Sequence, residues 1–216
     1  MKKDLIIWGA KGHSIVLNDI LSSDYQLISL FDNNFIKSTP IPDIPVYYKK
    51  EGFNNWLKTY NKPIKNLNFI IAIGGTRGYE RLELHNFIKD IGANPINATH
   101  LNASIAPSVD ILEGAHLLAN STISSNVQIG KSVIVNTASS IDHECIISDG
   151  VHIAPGAILT GNIYIGKNSF VGAGTTILPN IRIGENVIIG AGSLVTKDIP
   201  SNVMGYGSPF KIKRKI

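Results

Sequence analysis

One short run carries the groups best suited to move a proton. In Ile141-Asp-His-Glu-Cys145 a histidine, His143, directly precedes a glutamate, Glu144, and a second histidine, His152, follows nine residues later. Histidine accepts a proton near neutral pH, and a carboxylate beside it orients the ring and raises its basicity. The pair therefore predicts a general base. A solvated turn would place the same two residues side by side, so the spacing alone leaves both interpretations open.

A glycine-containing turn near the amino terminus predicts a second functional site. The apolar run Leu5–Trp8 ends in Gly9-Ala-Lys-Gly-His13, and the apolar residues between Ile15 and Leu21 predict a helix. A strand, a glycine turn and a helix open a Rossmann-like unit, whose first helical amides can bind an anion. The turn lacks the third glycine of the full dinucleotide fingerprint, so a nicotinamide cofactor is not expected. A tight connection without a ligand stays the alternative.

Two further strands predict where a ligand of this unit would lie. The strand over 26–31 ends at Asp32, 23 residues after Gly9, which is about where such folds place an acidic residue against a ribose. The strand over 68–73 ends at Gly74, and helices are predicted over 52–60 and 77–91. Alternating strands and helices predict a small parallel sheet in residues 1–98. Its ligands would bind at the carboxyl ends of the strands, where the glycine turn, Asp32 and Gly74 would meet.

The rest of the chain is organised by a six-residue repeat. Every sixth residue is aliphatic, and the residue four places after each one is small or β-branched. This period is typical of a parallel β-helix, whose units must stack because each is too short to bury its own aliphatic residue. We predict a solenoid over 99–196 and a C-terminal tail over 197–216. The sixteen aliphatic positions are Ile105, Ile111, Leu117, Ile123, Ile129, Val135, Ile141, Ile147, Ile153, Leu159, Ile165, Val171, Ile177, Ile183, Ile189 and Val195.

The composition excludes several classes of protein. Of the 216 residues, 44% are hydrophobic and 17% are charged, which is typical of folded domains and not of a disordered chain. The net charge of +4 suits anionic small molecules and falls short of a nucleic-acid-binding surface. A single cysteine, Cys145, excludes an internal disulfide and fits a reducing compartment. No run approaches the ~20 apolar residues of a membrane span, so we expect a cytoplasmic protein.

Together these features resemble the left-handed β-helix acyltransferases, and with the glycine turn in front they are similar to the branch that acetylates sugars. The resemblance rests on the hexapeptide run, the Asp-His-Glu-Cys motif at 142–145 and the ending Gly205-Tyr-Gly-Ser-Pro-Phe-Lys211, and it covers essentially the whole length. The branch includes the bacterial UDP-4-amino-sugar N-acetyltransferases of glycan biosynthesis and the sialic acid O-acetyltransferase-like proteins. It implies an α/β Rossmann-like N-terminal domain followed by a left-handed parallel β-helix, assembled as a homotrimer.

The resemblance also implies roles for individual residues. His143 matches the family's general base, and Glu144 matches the acid that makes it more basic. His152, Ala173 and Ala191 match contacts to acetyl-CoA, the co-substrate. Contacts to a nucleotide-linked amino sugar are implied for Lys11, Gly12, His13, Asp32, Asn33 and Gly74. Family members often have serine or glycine where Lys11 stands and aspartate where Asn33 stands, so the chain departs from the family at these two positions.

The family's coil of eighteen residues predicts how these residues stack. Pro155, Ala173 and Ala191 are eighteen residues apart, so they would lie on one face, with strands ~4.8 Å apart. Flanking glycines leave that face almost without side chains, and a pantetheine arm would fit against its backbone. His143 is half a coil away from His152, so one chain would not bring both histidines to one substrate. We therefore expect the active site between neighbouring subunits.

The resemblance thus implies direct acetyl transfer to the amine of a UDP-4-amino-sugar, with His143 taking the proton. Cys145 occupies a slot that serine, valine or alanine fills elsewhere, so we expect it to pack in the core and expect no covalent acyl-enzyme. The histidines show no metal-ligand spacing, so no metal is expected. Two alternatives stay open, namely acetylation of a hydroxyl, as on sialic acid, and a non-catalytic trimeric scaffold.

Overall fold

Contacts between residues divide the chain into two units. The structure is a computed structural model, and it describes residues 2–216. The first unit comprises the residues up to Ile73 together with Glu83–Ala98, and the second comprises Gly74–Leu82 and Thr99–Ile216. Residues 74–82 thus group with the repeat region, which the predicted boundary at residue 98 does not anticipate.

A five-stranded sheet, with all neighbouring strands parallel, organises the first unit. The strand order is β3-β2-β1-β4-β5. The run from Leu5 to Trp8 in the central strand is fully buried, as expected of a parallel strand that is covered on both faces. The elements are β1 (Lys3–Trp8), α1 (Gly12–Leu21), β2 (Tyr25–Asp32), β3 (Val46–Tyr48), α2 (Lys49–Leu57), a 3₁₀ turn (Ile64–Asn66), β4 (Asn68–Ile71), α3 (Gly78–Asp90), which begins in the second unit, and β5 (Asn94–Pro95).

The sequence-based prediction located the main elements of this unit and missed two strands. Strands β3 and β5 have three and two residues, which is too short for a periodic signal. Helix α2 begins at Lys49 and ends at Leu57, whereas it was predicted over 52–60. The parallel sheet and the three longer strands are confirmed.

An aromatic cluster holds the carboxyl ends of β1 and β2 together. The rings of Trp8 and Phe31 stack with centroids 5.5 Å apart, and Phe31 meets Phe53 and Trp56 edge-on at 5.1 and 5.3 Å. Such ring pairs add to the free energy gained from burial alone. Because Trp8 and Phe31 end or nearly end their strands, the cluster fixes the position of the glycine turn and of Asp32 that follow them.

The second unit contains a parallel β-helix with a coil of eighteen residues. Its two-residue strands pair in parallel with strands eighteen positions earlier and later; Ser140, for example, pairs with Thr122 and with Ile158. Three sheets follow one another around each coil. The predicted period and fold are therefore confirmed. We name each sheet by one residue on its outer side: the Ser140 sheet, the Tyr164 sheet and the His152 sheet.

The strands of the three sheets are as follows. The Ser140 sheet contains β7 (Ser104–Ile105), β10 (Thr122–Ile123), β13 (Ser140–Ile141), β16 (Ile158–Leu159), β19 (Thr176–Ile177) and β22 (Leu194–Val195). The Tyr164 sheet contains β8 (Asp110–Ile111), β11 (Gln128–Ile129), β14 (Ile146–Ile147), β17 (Tyr164–Ile165) and β20 (Arg182–Ile183). The His152 sheet contains β6 (Ala98–Thr99), β9 (His116–Leu117), β12 (Ile134–Val135), β15 (His152–Ile153), β18 (Phe170–Val171), β21 (Ile188–Ile189), β23 (Val203–Tyr206) and β24 (Lys211–Lys215).

The inside of the solenoid is filled by the repeating aliphatic residues. All of them from Leu117 to Val195 are buried, while Ile105 and Ile111 in the first coil are partly buried. Several of the buried hydroxyls at the small positions donate to backbone carbonyls, as Ser169 does to Gly184 at 2.8 Å. A buried polar group that keeps a hydrogen bond costs little free energy. The repeat therefore builds a continuous core in which serine replaces valine without an unmet bond at this site.

Many turns of the coil contain one residue in the left-handed region of φ. Asparagine or glycine holds most of these positions, for example Asn126 at φ +60° and Gly174 at φ +64°. Glycine has no Cβ to clash there, and the short side chain of asparagine also tolerates this conformation. The recurring Gly and Asn of the sequence are thus explained by the turns.

A buried arginine belongs to the solenoid unit although it lies in helix α3. Arg81 is fully buried, and its guanidinium donates to the carbonyls of Ser132 at 2.7 Å and Gly150 at 2.6 Å. Burial lowers the pKa of Arg81 to about 9. These bonds attach residues 74–82 to two successive coils. Sequence reasoning did not find this contact, because the hexapeptide pattern carries no sign of a residue outside the repeat.

The predicted C-terminal tail contributes strands β23 and β24 to the His152 sheet. Strand β23 pairs in parallel with β21, and β24 folds back to pair with β23 in antiparallel orientation. All five residues of β24 are exposed. Within residues 2–216, no helix has the length and apolar composition needed to cross a membrane.

Candidate active site

His143 and Glu144 lie in the turn between β13 and β14. The Nδ1 atom of His143 is 3.0 Å from Oε2 of Glu144, and more than half of each side chain is exposed, 56% and 61% respectively. Because a carboxylate can only accept a hydrogen bond, the neutral tautomer that fits this contact has its proton on Nδ1 and its lone pair on Nε2. Nε2 is therefore the atom able to take a proton from a substrate.

The backbone of Glu144 is strained in a way that neighbouring coils avoid. Its φ is +59°, and the three residues at the same place in other coils that also have positive φ are asparagines: Asn126, Asn162 and Asn180. A side chain without special tolerance for the left-handed region costs about 1–2 kcal/mol there. Local strain of this kind is concentrated at functional sites. The glutamate is thus retained at a position where asparagine would be more stable, which supports a role for its carboxylate.

Gly161 lies in the next coil, directly against the ring of His143. A Cβ atom added to Gly161 would be 2.5 Å from both Cε1 and Nε2 of His143. Real Cβ atoms do not approach this closely, so a larger residue would push the ring away. Sequence reasoning missed Gly161. Its signal was the eighteen-residue coil itself, since 161 is 143 plus eighteen.

Cys145 is a core residue, as the sequence predicted. The side chain is buried, its Sγ donates to the carbonyl of Thr160 at 3.2 Å, and the amide of Ile163 donates to Sγ at 3.4 Å. Burial raises the pKa of the Cys145 thiol to about 11. Because the thiolate is the nucleophilic form, this thiol is unreactive near neutral pH.

A nearly bare edge runs along the turns between the His152 sheet and the Ser140 sheet. Ala173 and Ala191 are exposed there, one coil apart, and the amide of Gly192 donates to the carbonyl of Ala173 at 2.8 Å. A Cβ added to Gly174 or Gly192 would meet nothing within 4 Å. We call these four residues the alanine corner. The predicted stacking of Ala173 and Ala191 is confirmed.

The alanine corner also offers two backbone donors. Within residues 2–216, the amides of Ala173 and Ala191 have no hydrogen-bond partner. At the same place in other turns a side chain accepts this bond: Asp149 from Lys131 at 2.9 Å, Ser201 from Glu185 at 2.9 Å, and Asn136 from Thr137 at 2.8 Å. Buried or exposed, an amide that its own chain leaves unbonded is available to the carbonyl of a ligand.

His152 has a different environment from His143. Only 7% of His152 is exposed. Its Nδ1 lies 2.9 Å from the amide nitrogen of Gly75, and its Nε2 lies 3.0 Å from the side-chain nitrogen of Asn136. Both ring nitrogens are thus engaged. The implied contact of His152 to acetyl-CoA stays a prediction, and sequence reasoning missed both Gly75 and Asn136.

Gly74 lies beside the same histidine. A Cβ added to Gly74 would be 3.5 Å from Cε1 of His152, in ordinary contact. This glycine belongs to the solenoid unit together with Gly75. Its implied role in binding the nucleotide-linked sugar stays a prediction.

In the first unit, Asp32 fastens the glycine turn to the end of β2. Its Oδ2 accepts the amide of Ala10 at 2.9 Å, and its Oδ1 accepts the amide of Asn34 at 2.9 Å. The glycine at position 9 is required, because its φ is +110° and an added Cβ would be 2.5 Å from the carbonyl oxygen of Ala72. The carboxyl ends of β1, β2 and β4 therefore meet here, as predicted.

The other residues implied in this site follow directly after these ends. Lys11 is exposed and caps helix α1 without a side-chain bond, and Gly12 opens the helix with empty space around it. His13 and Asn33 are half-buried. The first helical amides of α1 thus lie at the edge where an anion is expected. Roles for these four residues in binding stay predictions.

Two family descriptions match the chain. The PglD N-terminal domain matches residues 4–82, and the bacterial transferase hexapeptide (six repeats) matches residues 162–197. The two matches fall in the region of the sheet and in the solenoid, respectively.

Solved structures resemble the chain over nearly its whole length. The acetyltransferase domain of PglB from Neisseria gonorrhoeae, in complex with acetyl coenzyme A, is 26% identical with a TM-score of 0.86, covering 99% of this chain and 100% of that one. A variant of perosamine N-acetyltransferase from Caulobacter crescentus, in complex with CoA and GDP-perosamine, is 27% identical with a TM-score of 0.87, covering 98% and 97%. The chain thus has a region similar to the PglD N-terminal domain, repeats similar to the hexapeptide transferases, and the fold of these sugar N-acetyltransferases.

A curated protein matches this chain over a shorter stretch. The galactoside O-acetyltransferase of Lactococcus lactis is 41% identical over 49 residues, which are 23% of this chain and 24% of that protein. The match thus spans about a quarter of the relative's length. It does not distinguish an amine acceptor from a hydroxyl acceptor.

Proposed function

We propose that this chain is an acetyltransferase that moves an acetyl group from acetyl-CoA to the amino group of a nucleotide-linked sugar, of the UDP-4-amino-sugar type, in bacterial glycan biosynthesis. The single observation that carries the proposal is the His143–Glu144 pair. Nδ1 of His143 lies 3.0 Å from Oε2 of Glu144, and Nε2 is available as the base. The likeness to proteins whose structures contain acetyl-CoA, or CoA with GDP-perosamine, gives further support.

The reaction follows from the contact between His143 and Glu144. The sugar amine attacks the carbonyl carbon of the thioester while Nε2 of His143 takes a proton from the amine. Glu144 stabilises the imidazolium that forms, because its carboxylate accepts the bond from Nδ1–H. The carbon–sulfur bond then breaks, and the proton on Nε2 passes to the departing CoA sulfur. No protein nucleophile is required. Burial raises the pKa of the Cys145 thiol to about 11, so it is not the nucleophilic thiolate near neutral pH.

The alanine corner suits the acetyl-CoA arm. A pantetheine chain contains two amide groups, and the free amides of Ala173 and Ala191 can donate to carbonyls lying along the corner. The exposed, side-chain-free surface lets such a chain approach the backbone closely. Pro155 continues the same edge one coil earlier but has no amide hydrogen to donate.

The first unit suits the nucleotide of the sugar substrate. The amides at the start of α1 favour a diphosphate, and Asp32 orients the glycine turn next to them through its bond to Ala10. We expect Asp32→Ala to raise KM for the nucleotide-linked sugar and to leave KM for acetyl-CoA unchanged. Equal KM values for the sugar in both proteins would assign its recognition to the solenoid alone.

We further propose that the site is shared between the subunits of a homotrimer. The His143 turn joins the Ser140 and Tyr164 sheets, whereas the alanine corner and His152 lie on or beside the His152 sheet. These surfaces of one solenoid face different directions, so a second copy must supply one of them. At an acetyl-CoA concentration too low for Ala191→Leu alone to turn over, mixing His143→Ala subunits with Ala191→Leu subunits should then restore activity, because some sites receive an intact residue from each. A mixture that stays inactive after subunit exchange would contradict a shared site.

A thiol-release assay with acetyl-CoA tests the function itself. The acceptors would be 4-amino sugars and their hydroxyl counterparts, each free and as the UDP-linked and GDP-linked forms. Release of CoA only with UDP-linked amino sugars would support the proposal in full. Turnover with hydroxyl sugars would favour the O-acetyltransferase alternative, and no turnover with any acceptor would favour a non-catalytic scaffold.

A further inference from the structure

Residues 74–82 contact the solenoid beside His152, within one structural unit. Gly75 lies at the histidine ring: its amide nitrogen is 2.9 Å from Nδ1 of His152, and its carbonyl oxygen is 3.3 Å from the same atom. Gly75 thus offers this ring nitrogen both a donor and an acceptor, so Nδ1 has a partner whether or not it carries the proton. The φ of Gly75 is +66°, a conformation that glycine adopts without strain.

Arg81 holds the other end of the same segment on the backbone that leads into His152. Its Nη2 donates to the carbonyl of Gly150 at 2.6 Å and lies 3.3 Å from that of Val151, and these two residues directly precede His152. Its Nε donates to the carbonyl of Ser132, in the preceding coil, at 2.7 Å. The planar guanidinium therefore ties one coil to the next at the point where the chain enters the strand of His152.

The backbone between these two attachments fits closely against the solenoid. A Cβ added to Gly78 would collide with the carbonyl oxygen of Gly150 and would lie 2.9 Å from the Cα of Asn168. A side chain at position 78 would therefore lift the segment away from the coils. The next residue, Tyr79, is 72% exposed and projects into solvent.

The buried guanidinium does more than an apolar residue would do at the same place. Taking a charge out of water costs free energy, and replacing a buried charged group by an apolar residue of similar size is often neutral or stabilising. Burial lowers the pKa of Arg81 to about 9. The guanidinium supplies direction in return, because its fixed donors determine which carbonyls it meets. The arrangement thus favours a positioning role over simple attachment.

We propose that Arg81 is a positioning residue for His152. Through its bonds to Ser132 and Gly150 it fixes residues 74–82 on the coils, and Gly75 then fixes the imidazole ring. The inference rests on the proposed function, in which His152 contacts acetyl-CoA. Arg81 is fully buried, so it acts on the co-substrate only through the histidine.

Calorimetric titration of acetyl-CoA into a double-mutant cycle tests the inference. We expect Arg81→Met to weaken acetyl-CoA binding by about fivefold or more, because the ring of His152 loses its fixed orientation. His152→Ala should weaken binding at least as much. In the His152→Ala background, Arg81→Met should then change the affinity by less than about twofold. A merely structural arginine would weaken binding by the same factor in both backgrounds.

Gly78→Ala reaches the same segment by an independent route and leaves Arg81 in place. The added Cβ collides with the carbonyl of Gly150, so we expect the same loss as for Arg81→Met and the same dependence on His152. Tyr79→Ala changes an exposed residue of the segment and should bind acetyl-CoA as the wild type does. Thermal unfolding checks each variant. If Arg81→Met does not fold, Arg81→Lys, which keeps the cation and loses the planar fork, takes its place in the cycle.

The results that contradict the inference differ from those that contradict the proposed function. Equal losses in both backgrounds, or no loss in either, would show that Arg81 does not act through His152. Unchanged acetyl-CoA affinity in His152→Ala would also overturn the inference, while the proposed function would stand because His143 remains the base. If the wild type binds no acetyl-CoA and releases no thiol with any acceptor, the proposed function itself is wrong.

Discussion

The His143 turn and the alanine corner depart from the same repeat in opposite directions. At the His143 turn the chain adds functional groups and accepts strain, because Glu144 adopts φ +59° where other coils have asparagine. At the alanine corner the side chains are small, and among residues 2–216 the amides of Ala173 and Ala191 have no hydrogen-bond partner. A regular solenoid needs neither departure for its core. In this fold, functional groups are therefore expected at turns that carry more, or fewer, side-chain groups than the equivalent turns of neighbouring coils.

The largest expected effect is a loss of kcat on changing the His143 turn. We expect His143→Ala to lower kcat by about 10²–10⁴-fold, the range for loss of a positioned general base. Acetyl-CoA affinity should barely change, because the alanine corner is untouched. Steady-state kinetics at saturating substrates, together with calorimetry, measure the two quantities. Near-normal turnover in the variant would reduce His143 to an ordinary turn residue.

The next effect tests whether the ring must be positioned as well as present. Gly161→Ala places a Cβ 2.5 Å from Cε1 and Nε2 of His143, so the ring must move away. Displacing a catalytic group by about 1 Å can cost about 10²-fold in rate, so we expect a loss of that order in kcat. Ser125→Ala, one coil to the other side of His143, is the control and should leave kcat unchanged. Equal activity of both variants would show that the ring has room to move.

The alanine corner gives a smaller effect on a different quantity. We expect Ala191→Leu to weaken acetyl-CoA binding at least tenfold, about 1.4 kcal/mol, since the added side chain covers the amides along the corner. Glu185→Leu changes the equivalent residue of a neighbouring turn and should bind acetyl-CoA as the wild type does. Calorimetry measures the affinity, and sedimentation checks the oligomer. Unchanged affinity in an intact oligomer would place the cofactor elsewhere, and a broken oligomer would mean that Ala191 packs against another subunit.

The two regions also differ in how far the sequence could predict them. The six-residue period predicts the solenoid because every coil repeats the same burial problem, and the stacking of Ala173 on Ala191 follows from the eighteen-residue coil. Gly161 was within reach of the same arithmetic. The eighteen-residue spacing does not give the direction of the His143 ring, which only the side-chain geometry supplies.

Contacts from outside the repeat were beyond such reasoning. Arg81 and Gly75 reach the solenoid from a segment with no hexapeptide pattern, and their partners are backbone carbonyls and a histidine ring. Which carbonyls a buried guanidinium meets depends on the packing of the helix that carries it. In the first unit, the strand ends and Asp32 were predicted from the order of strands and turns. The partners of its carboxylate, Ala10 and Asn34, depend on backbone geometry that the residue types alone do not specify.

The smallest expected effect concerns the residue next to the strained glutamate. Cys145 follows Glu144 directly, yet its side chain points into the core and its thiol bonds to the backbone of the next coil. We expect Cys145→Ala to change kcat by less than about twofold and to cost about 1 kcal/mol in the free energy of unfolding, because a small buried group is lost. Kinetics and urea denaturation measure the two changes. A collapse of kcat in a folded variant would contradict direct transfer and indicate an acyl-enzyme on the thiol.

Burial raises the pKa of the Cys145 thiol to about 11 in the folded chain, so the folded state favours the protonated form. That contribution to stability is complete below the thiol's ordinary pKa and is lost as the pH rises toward 11. The wild type should therefore lose stability relative to Cys145→Ala only on the alkaline side, and alkylation by iodoacetamide should be slow near neutral pH.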